Sequence, residues 1–337
     1  MSVELPAPLR AALDRALEGV SRKGLAERTA RTSAAYRAGK PSSGVIRDTD
    51  DALAYAVARL PATYAACASV LAEAARRAPG FGPESLLDAG VGSGAASWAA
   101  LQVWPAIGRL TWLDASPPFL ALAAGLAADG PPALRTAEAR RVDLCSPGPW
   151  PGCDLVVASY ALAEIAPDRQ DSTVSELWAA CTGVLALVEP GTPAGHARLL
   201  AARQVLIAAG AAILAPCPHA GACPLRGEDW CHFSVRLPRS RDHRIAKGAA
   251  APFEDERFSY LLAARPHVGL TPAAPRVVAP PQAGKPGVRL KLCGPDGQVE
   301  QRLVARRDRR AHALARRLAW GDVLDPTPPE TRHAEEP

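Results

Sequence analysis

The chain has 337 residues, of which 48% are hydrophobic, 22% charged and 5% aromatic, and its formal net charge is +5. This length allows one large domain with a smaller one, and the composition is typical of soluble proteins. Because the sequence has neither a run of about eighteen apolar residues nor an N-terminal basic stretch followed by an apolar one, it predicts no membrane helix and no signal peptide, and it indicates a cytoplasmic protein. The mild positive charge permits a nucleic-acid partner without requiring one.

The first 80 residues are predicted to be helical. Leu9, Leu13 and Leu17 recur at helical spacing, which is the pattern of a helix with one apolar face. A second helical run covers residues 50–77, and Pro61 is expected to kink or split it. We expect the apolar face of this region to pack on the domain that follows.

A short strand leads into a glycine-rich loop after residue 85. The strand Leu86–Ala89 is followed by Gly90-Val91-Gly92-Ser93-Gly94 and then by a helical run. Glycines allow a tight turn and a close approach of backbone to ligand, and a helix N-terminus presents N–H groups there. A G-x-G-x-G loop after an Asp-bearing strand is typical of folds that bind S-adenosylmethionine. The first residues of the predicted cofactor site are Asp88, Gly90, Gly92 and Gly94.

Buried strands and helices continue to alternate up to residue 209. The alternation predicts an α/β fold with a doubly wound parallel sheet. The second strand, residues 110–114, ends at Asp114, where nucleotide-binding folds contact ribose hydroxyls. A third strand, 141–144, contains Asp143 at the adenine-contacting position, and a fourth, 154–160, contains Ser159. These three residues complete the predicted cofactor site: Asp114, Asp143 and Ser159.

The sequence leaves the catalytic residues open. Amino-group methyltransferases commonly carry an Asn/Asp-Pro-Pro-aromatic turn after the fourth strand, whereas Ser159-Tyr160-Ala161-Leu162 stands here. Cys217 or Cys223 has the chemistry of a nucleophile for cytosine methylation, but a metal site accounts for both. Three residues are expected near the pocket, and for each a packing or surface position is favoured over a catalytic role. They are Tyr160, Glu164 and Glu189. Whether the chain is an enzyme stays undecided.

Four cysteines form a candidate metal site. Three of them follow a C-x5-C-x7-C spacing, and the fourth lies far along the chain. Because nothing marks the chain as secreted, a thiolate metal site is favoured over disulfides. The spacing is wider than that of zinc knuckles and favours an iron–sulfur cluster, with zinc as the alternative. The predicted ligands are Cys217, Cys223, Cys231 and Cys293.

Two basic segments flank a proline-rich connection at residues 272–286. Residues 232–248 hold five Lys or Arg and one acid, and residues 286–318, which include a predicted hairpin, hold nine Lys or Arg and three acids. Arginine at this density indicates phosphate contacts, and recognition of RNA by shape in particular. The predicted RNA-binding residues are Arg236, Arg239, Arg241, Arg244, Lys247, Arg306, Arg307, Arg309 and Arg310.

The predicted organisation has four parts. An N-terminal helical region at 1–80 precedes a methyltransferase-like domain at 81–215. An iron–sulfur and RNA-binding module occupies 216–323, and a disordered tail follows at 324–337.

Several segments together resemble a known family, the methyltransferase-like proteins associated with the small ribosomal subunit of mitochondria and bacteria. The matching segments lie at residues 59–64, 88–94, 154–164, 189–195, 217–233, 254–260, 292–293 and 320–322. They span most of the chain, and their joint pattern is much more specific than any one of them.

The resemblance implies a fold that binds S-adenosylmethionine and a [4Fe–4S] cluster at Cys217, Cys223, Cys231 and Cys293. It also implies binding to rRNA of the small ribosomal subunit during assembly. We therefore predict an iron–sulfur-containing, rRNA-binding assembly factor that has no membrane partner. The sequence gives no prediction of its oligomeric state. The alternatives are an active rRNA methyltransferase and a redox or iron sensor.

Overall fold

The computed structural model describes residues 3–37, 42–146, 148–271 and 273–324. The chain divides into two compact units, a larger one of Met1–Ala215 with Glu228–Thr271 and a smaller one of Pro216–Gly227 with Pro272–Pro337. The predicted disordered tail lies outside the described residues except for Leu324. None of the helices in the described part of the chain has the length and apolar character that a membrane crossing needs.

The larger unit begins with four helices: α1 (Ala7–Ala16), α2 (Arg22–Arg37), α3 (Ser42–Val45) and α4 (Thr49–Arg77). Helix α4 starts where the side chain of Asp48 accepts the N–H of Asp51 at 2.8 Å, as N-cap residues do. Pro61 lies inside α4, which continues as one helix rather than splitting. Seventeen of its 29 residues are buried, and this packing outweighs the roughly 3 kcal/mol that an internal proline costs.

An eight-stranded sheet forms the centre of the larger unit. Its strands are β1 (Ser85–Ala89), β2 (Arg109–Asp114), β3 (Glu138–Arg141), β4 (Cys153–Ser159), β5 (Cys181–Pro190), β6 (Ala212–Ala215), β7 (Phe233–Pro238) and β8 (Phe253–Ala264). The order is β3-β2-β1-β4-β5-β8-β6, and β7 also pairs with β8. Strands β1 to β5 are parallel, and β8 is antiparallel to its three partners. This mostly parallel sheet confirms the predicted methyltransferase-like α/β fold.

Helices lie between most of the consecutive strands of this sheet. They are α5 (Ala95–Val103), α6 (Pro117–Ala127), α7 (Pro132–Arg135), α8 (Pro167–Ala180), α9 (Pro193–Ala208) and, between β7 and β8, α10 (Arg241–Lys247). All five residues of β1 are buried, as are eight of the ten residues of β5. Such unbroken burial is expected of parallel strands that are covered on both faces. The core of the unit therefore lies along the central strands.

Strand β3 lies three residues before its predicted place at 141–144. Its pairing with β2 ends where Asp114 meets Arg141, so residues 142–144 leave the sheet. The observed strand Glu138–Arg141 is polar and mostly exposed, because it is an edge strand. A prediction based on buried apolar runs therefore selected the next apolar residues instead.

Residues 228–271, which the sequence assigned to the C-terminal module, belong to the larger unit. Strand β8 pairs over seven residues with β5, from Val184 to Pro190, and over six residues with β7. Its first half is polar because it faces β7 near the surface, and its last seven residues are all buried. The basic segment around α10 is thus an insertion between two strands of one sheet.

The smaller unit contains a four-stranded antiparallel sheet. Its elements are β9 (Arg276–Val277), β10 (Gln282–Ala283), β11 (Gly287–Cys293), β12 (Val299–Ala305) and α11 (Arg309–Ala315). The order is β10-β11-β12, with β9 also paired to β11. The predicted hairpin is confirmed by the seven-residue pairing of β11 with β12. Its core is small, with Val277, Val288, Leu290, Leu292 and Ala315 fully buried together.

Candidate functional site

A cavity of about 170 Å³ opens at the carboxyl ends of β1, β2 and β4. Open α/β sheets bind their ligands at this edge. Five of the seven residues predicted to bind the cofactor line it: Gly90, Gly92, Asp114, Asp143 and Ser159. The other two, Asp88 and Gly94, are not among its lining residues.

The loop between β1 and α5 is built on three glycines with positive φ. The φ angles of Gly90, Gly92 and Gly94 are 76°, 53° and 82°, values that side chains with a Cβ rarely adopt. The N–H groups of Gly90 and Val91 donate to the carbonyl of Leu113, at 2.7 and 3.0 Å, and attach the loop to β2. Gly94 is the N-cap of α5, so it positions the helix rather than the cavity wall.

Asp114 connects the glycine loop to the start of α6. Its Oδ2 accepts the N–H of Gly92 and its Oδ1 accepts the N–H of Ser116, both at 2.8 Å. Burial raises the pKa of Asp114, although these two hydrogen bonds oppose the shift. Each oxygen retains acceptor capacity toward the cavity, because a carboxylate oxygen accepts more than one hydrogen bond.

Asp88 is fully buried and fixes the first turn of α5. Its Oδ2 accepts hydrogen bonds from the backbone N–H and the hydroxyl of Ser97, at 3.0 and 2.6 Å. Its Oδ1 has no hydrogen-bond partner among the described residues. Burial raises the pKa of Asp88 to about 7. The structure thus places Asp88 behind the glycine loop, with one acceptor left for a donor.

Helix α4 supplies part of the wall that the motifs did not predict. Tyr55 and Thr63 of α4 line the cavity, together with Phe119 of α6 and Ile165. The rings of Tyr55 and Phe119 meet edge to face with centroids 5.2 Å apart. Their place depends on how α4 packs against the sheet. The resemblance at residues 59–64 was the signal that pointed to this helix.

A partly buried polar network borders the cavity, and one of its members, Tyr160, lines the cavity. Tyr160 is the one non-glycine residue with positive φ in the described part of the chain, at 58°. Its hydroxyl donates to Glu256 Oε1 at 2.8 Å, and Arg59 donates to the same oxygen at 3.0 Å. The guanidinium of Arg59 also lies 5.7 Å from the Tyr160 ring. Burial and the charge of Glu256 raise the pKa of Tyr160 well above its ordinary value, so the phenol is protonated at neutral pH and is no general base.

Glu164 and Glu189, the two acidic residues expected near the pocket, have different surroundings. Glu164 lines the cavity. Glu189 is fully buried and accepts from Arg198 at 2.7 Å. Burial raises the pKa of Glu189 to about 6. Of the two, Glu164 is therefore the carboxylate in the wall of the cavity.

Three of the predicted metal-binding cysteines lie in the smaller unit. Cys293 ends β11, with its sulfur 3.6 Å from His219 Nε2. Burial, followed by the charges of Cys217 and Cys223, raises the pKa of Cys293 to about 12. Within residues 3–37, 42–146, 148–271 and 273–324, no three or more His, Cys, Asp or Glu side chains have the arrangement of a metal site. Cys231 belongs to the larger unit, and its role as a fourth ligand stays a prediction.

The predicted RNA-binding residues differ in their surroundings. Arg236 makes two 2.8 Å bonds to Asp255, while Arg239 and Lys247 both bind Glu254. Six others are exposed and form no ion pair with a described residue: Arg241, Arg244, Arg306, Arg307, Arg309 and Arg310.

Sequence comparisons identify relatives of the chain. A family described as mitochondrial small ribosomal subunit Rsm22 matches residues 49–325. The human ribosome assembly protein METTL17, mitochondrial, is 32% identical over 290 residues, which cover 81% of this chain and 62% of the relative. The mitochondrial Rsm22-cox11 tandem protein 2 of Schizosaccharomyces pombe is 26% identical over 324 residues, which cover 81% of this chain and 43% of the relative. The chain thus spans less than two thirds of the length of these relatives.

Solved methyltransferase structures are also similar. The magnesium protoporphyrin IX methyltransferase of Synechocystis, solved with bound SAH, matches with 16% identity and a TM-score of 0.40. The match covers 60% of this chain and 83% of that enzyme.

The comparisons correct one prediction and establish the family. The predicted cytoplasmic location is wrong, because the matching family is described as mitochondrial and both relatives carry that location in their names. The family match extends over residues 49–325, and the chain therefore belongs to the small ribosomal subunit Rsm22 family.

Proposed function

We propose that the chain is an S-adenosylmethionine-binding and rRNA-binding factor for assembly of the small ribosomal subunit. The observation that carries the proposal is the cavity at the carboxyl ends of β1, β2 and β4, which is lined by the glycine loop and Asp114. It occurs in a chain whose human relative is named a ribosome assembly protein. Both features together favour a binding factor built on a methyltransferase-like fold.

The residues of the cavity suit the chemistry of S-adenosylmethionine. Asp114 would accept ribose hydroxyls, and Asp143 would accept from the adenine amine. The apolar surfaces of Tyr55 and Phe119 would pack on the flat base. The unmatched Oδ1 of Asp88 adds a buried acceptor near the glycine loop. When bound, the cofactor supplies an electrophilic methyl group.

The polar network around Tyr160 supports binding without methyl transfer. An amine or hydroxyl that receives a methyl group has to lose a proton, which requires a base close to the cavity. Tyr160 holds its own proton in the bond to Glu256, and Arg59 occupies the same carboxylate. One observation favours the alternative of an active rRNA methyltransferase, namely that the carboxylate of Glu164 lines the cavity.

We also propose a [4Fe–4S] cluster, with zinc as the alternative. The donor chemistry fits, since Cys217, Cys223 and Cys293 belong to one unit and thiolates bind iron–sulfur clusters and zinc. Cys217, Cys223 and Cys293 would hold the metal. Cys231 is the fourth ligand that the sequence predicts. Metal ligation would stabilise a unit that has a core of only a few residues.

The first experiment separates the assembly factor from the enzyme. Purified precursor small subunits are incubated with the chain and methyl-labelled S-adenosylmethionine, and both co-sedimentation and label transfer are measured. We expect RNase-sensitive co-sedimentation, cofactor binding and no transfer. Transfer that is abolished in Glu164→Gln but not in the exposed control Glu84→Gln would establish the enzyme instead. Absence of both cofactor binding and co-sedimentation would reject the proposal.

A second experiment addresses the metal. The chain is purified without oxygen, and its iron, acid-labile sulfide and zinc contents are measured. We expect iron and sulfide in equal amounts, lost in Cys217→Ser and retained in Cys67→Ser, whose thiol is buried in α4. Zinc without sulfide would select the alternative.

A further inference from the structure

Two basic segments were predicted to contact RNA, and the structure distinguishes them by what their charges face. In the segment between β7 and β8, Arg236 is held by Asp255 and also stacks over Phe253, with its guanidinium carbon 4.2 Å from the ring centre. Glu254, only 13% exposed at its side chain, receives both Arg239 and Lys247. Much of the charge of this segment therefore serves the pairing of β7 with β8.

In the second segment, Arg302 pairs with Glu300, but four other arginines have no such partner among the described residues. Arg306 and Arg307 occupy the turn after β12, and Arg309 and Arg310 are the first two residues of α11. All four are exposed and form no ion pair with a described residue. The adjacent Asp308 is the N-cap of α11, and its carboxylate accepts the N–H of Ala311 at 3.1 Å. Asp308, the one acid at residues 306–310, thus caps the N-terminus of α11.

The side-chain chemistry of the smaller unit selects the kind of RNA. Trp320, half-buried, is the single Phe, Tyr or Trp among the described residues of this unit. Proteins that bind unpaired RNA stack its bases on exposed aromatic rings, whereas paired RNA is contacted at its phosphates and 2′-hydroxyls. Exposed guanidinium groups in a unit with one half-buried Trp match the second kind of contact better than the first.

We propose that the β12–α11 face, defined as Arg306, Arg307, Arg309 and Arg310, binds the sugar–phosphate backbone of base-paired RNA. The inference rests on the proposed function and deepens it, since it names the surface and the form of RNA that is bound. In the segment around α10, Arg236, Arg239 and Lys247 contribute to the fold instead. Binding at this face is independent of sequence, because guanidinium groups on phosphates read no base edges.

The test measures binding of the full chain to a fluorescent 20-base-pair RNA duplex and to an unpaired strand of the same length, at several salt concentrations. The test variant replaces all four arginines of the β12–α11 face with glutamine. The matched control removes the same charge from exposed positions of the larger unit, at Arg10, Arg15, Arg109 and Arg135. Thermal unfolding confirms that both variants are folded.

We expect tighter binding to the duplex than to the unpaired strand. The test variant should lose at least about tenfold in duplex affinity, and its plot of log K against log salt should become flatter by about 3, since each lost phosphate contact contributes roughly 0.7–0.9 to the slope. The control, and Arg236→Gln, should stay within about threefold of the unaltered chain, since neither change removes a guanidinium that the inference assigns to phosphate.

The outcomes are distinguishable. If the variant without the four arginines binds the duplex as tightly as the unaltered chain, or if the unaltered chain prefers the unpaired strand, the inference is overturned and the proposed function stays in place. An unaltered chain that binds neither RNA at low salt overturns both.

Discussion

Asp114 holds two parts of the cofactor cavity at once, because its two oxygens accept the N–H groups of Gly92 and Ser116. In Asp114→Ala both donors lose their partner, and each unsatisfied group costs about 1–3 kcal/mol. We expect affinity for S-adenosylmethionine to fall by about 10- to 100-fold, as measured by calorimetry. The control is Asp129→Ala, whose side chain is 67% exposed. An unchanged affinity in Asp114→Ala would reject its assignment to the site.

Tyr160 lines the cavity, but its hydroxyl, which is bonded to Glu256, is predicted to matter for stability rather than for cofactor binding. Tyr160→Phe removes the hydroxyl that donates to Glu256, and the loss of such a bond costs about 1–2 kcal/mol. We expect the melting temperature to fall by about 2–4 °C per kcal/mol lost, with affinity for S-adenosylmethionine unchanged. Tyr64→Phe in the same unit is the matched control, because the Tyr64 hydroxyl makes no hydrogen bond to a described residue. A tenfold loss of affinity in Tyr160→Phe would instead place its hydroxyl in the binding site.

Glu254 should make stability depend on acid pH. Burial by itself would raise the pKa of Glu254, but the adjacent His243, Lys247 and Arg239 lower it well below its ordinary value. Because the folded pKa is below the unfolded one, the stabilisation is complete above about pH 5 and is lost as the pH falls below about 4. Urea unfolding from pH 7 to pH 3 should show a shallower loss in Glu254→Gln than in the exposed control Glu18→Gln. Parallel curves for the two variants would contradict the prediction.

Residues of the site were predictable where one short segment contains all the residues of the motif. The strand, glycine loop and helix around Gly90 and Gly92 lie within twenty residues, so their geometry follows from local sequence. Glu256 is different, because it meets Tyr160 across 96 residues. Its contact with Tyr160 depends on the pairing of β8 with β5, and no local sequence motif predicts that pairing.

At the scale of elements, the predictions succeeded where burial was continuous. Strands β1, β2 and β4 were located to within about a residue, since parallel strands covered on both faces are apolar throughout. Strand β3 was misplaced because its residues Glu138–Arg141 are polar at the sheet edge. Strand β8 was missed because its first half pairs with the partly exposed β7 and contains four consecutive charged residues, 254–257.

The junction of β5 and α9 should tolerate no side chain at Gly195. A Cβ there would lie 2.1 Å from the carbonyl oxygen of Pro190, which is backbone and cannot move aside. We expect Gly195→Ala to lower the free energy of unfolding by about 2 kcal/mol or more. The matched control is Gly125→Ala inside α6, where a Cβ meets nothing within 4 Å, and it should stabilise by about 0.5–1 kcal/mol. Equal effects of the two changes would contradict the assigned contact.

For the whole molecule, the two proposed ligands should protect different parts of the chain. S-adenosylmethionine at 100 times its dissociation constant adds about 2.7 kcal/mol to the stability of whatever binds it. Hydrogen exchange should therefore slow in β1, β2 and β4 of the larger unit. Removal of metal with a chelator should speed exchange in β11 and β12 of the smaller unit. Cofactor-dependent protection of β11 and β12 alone would contradict this assignment.

The chain enters the smaller unit twice, at residues 216–227 and again after residue 271, with β7, α10 and β8 made in between. A growing polypeptide therefore exposes Cys217 and Cys223 before the strand β8 that the large sheet needs, and long before Cys293. All strands of the larger sheet are therefore synthesised before the smaller unit receives Cys293. Residues 273–324 are therefore the part of the smaller unit that is made after the strands of the larger sheet.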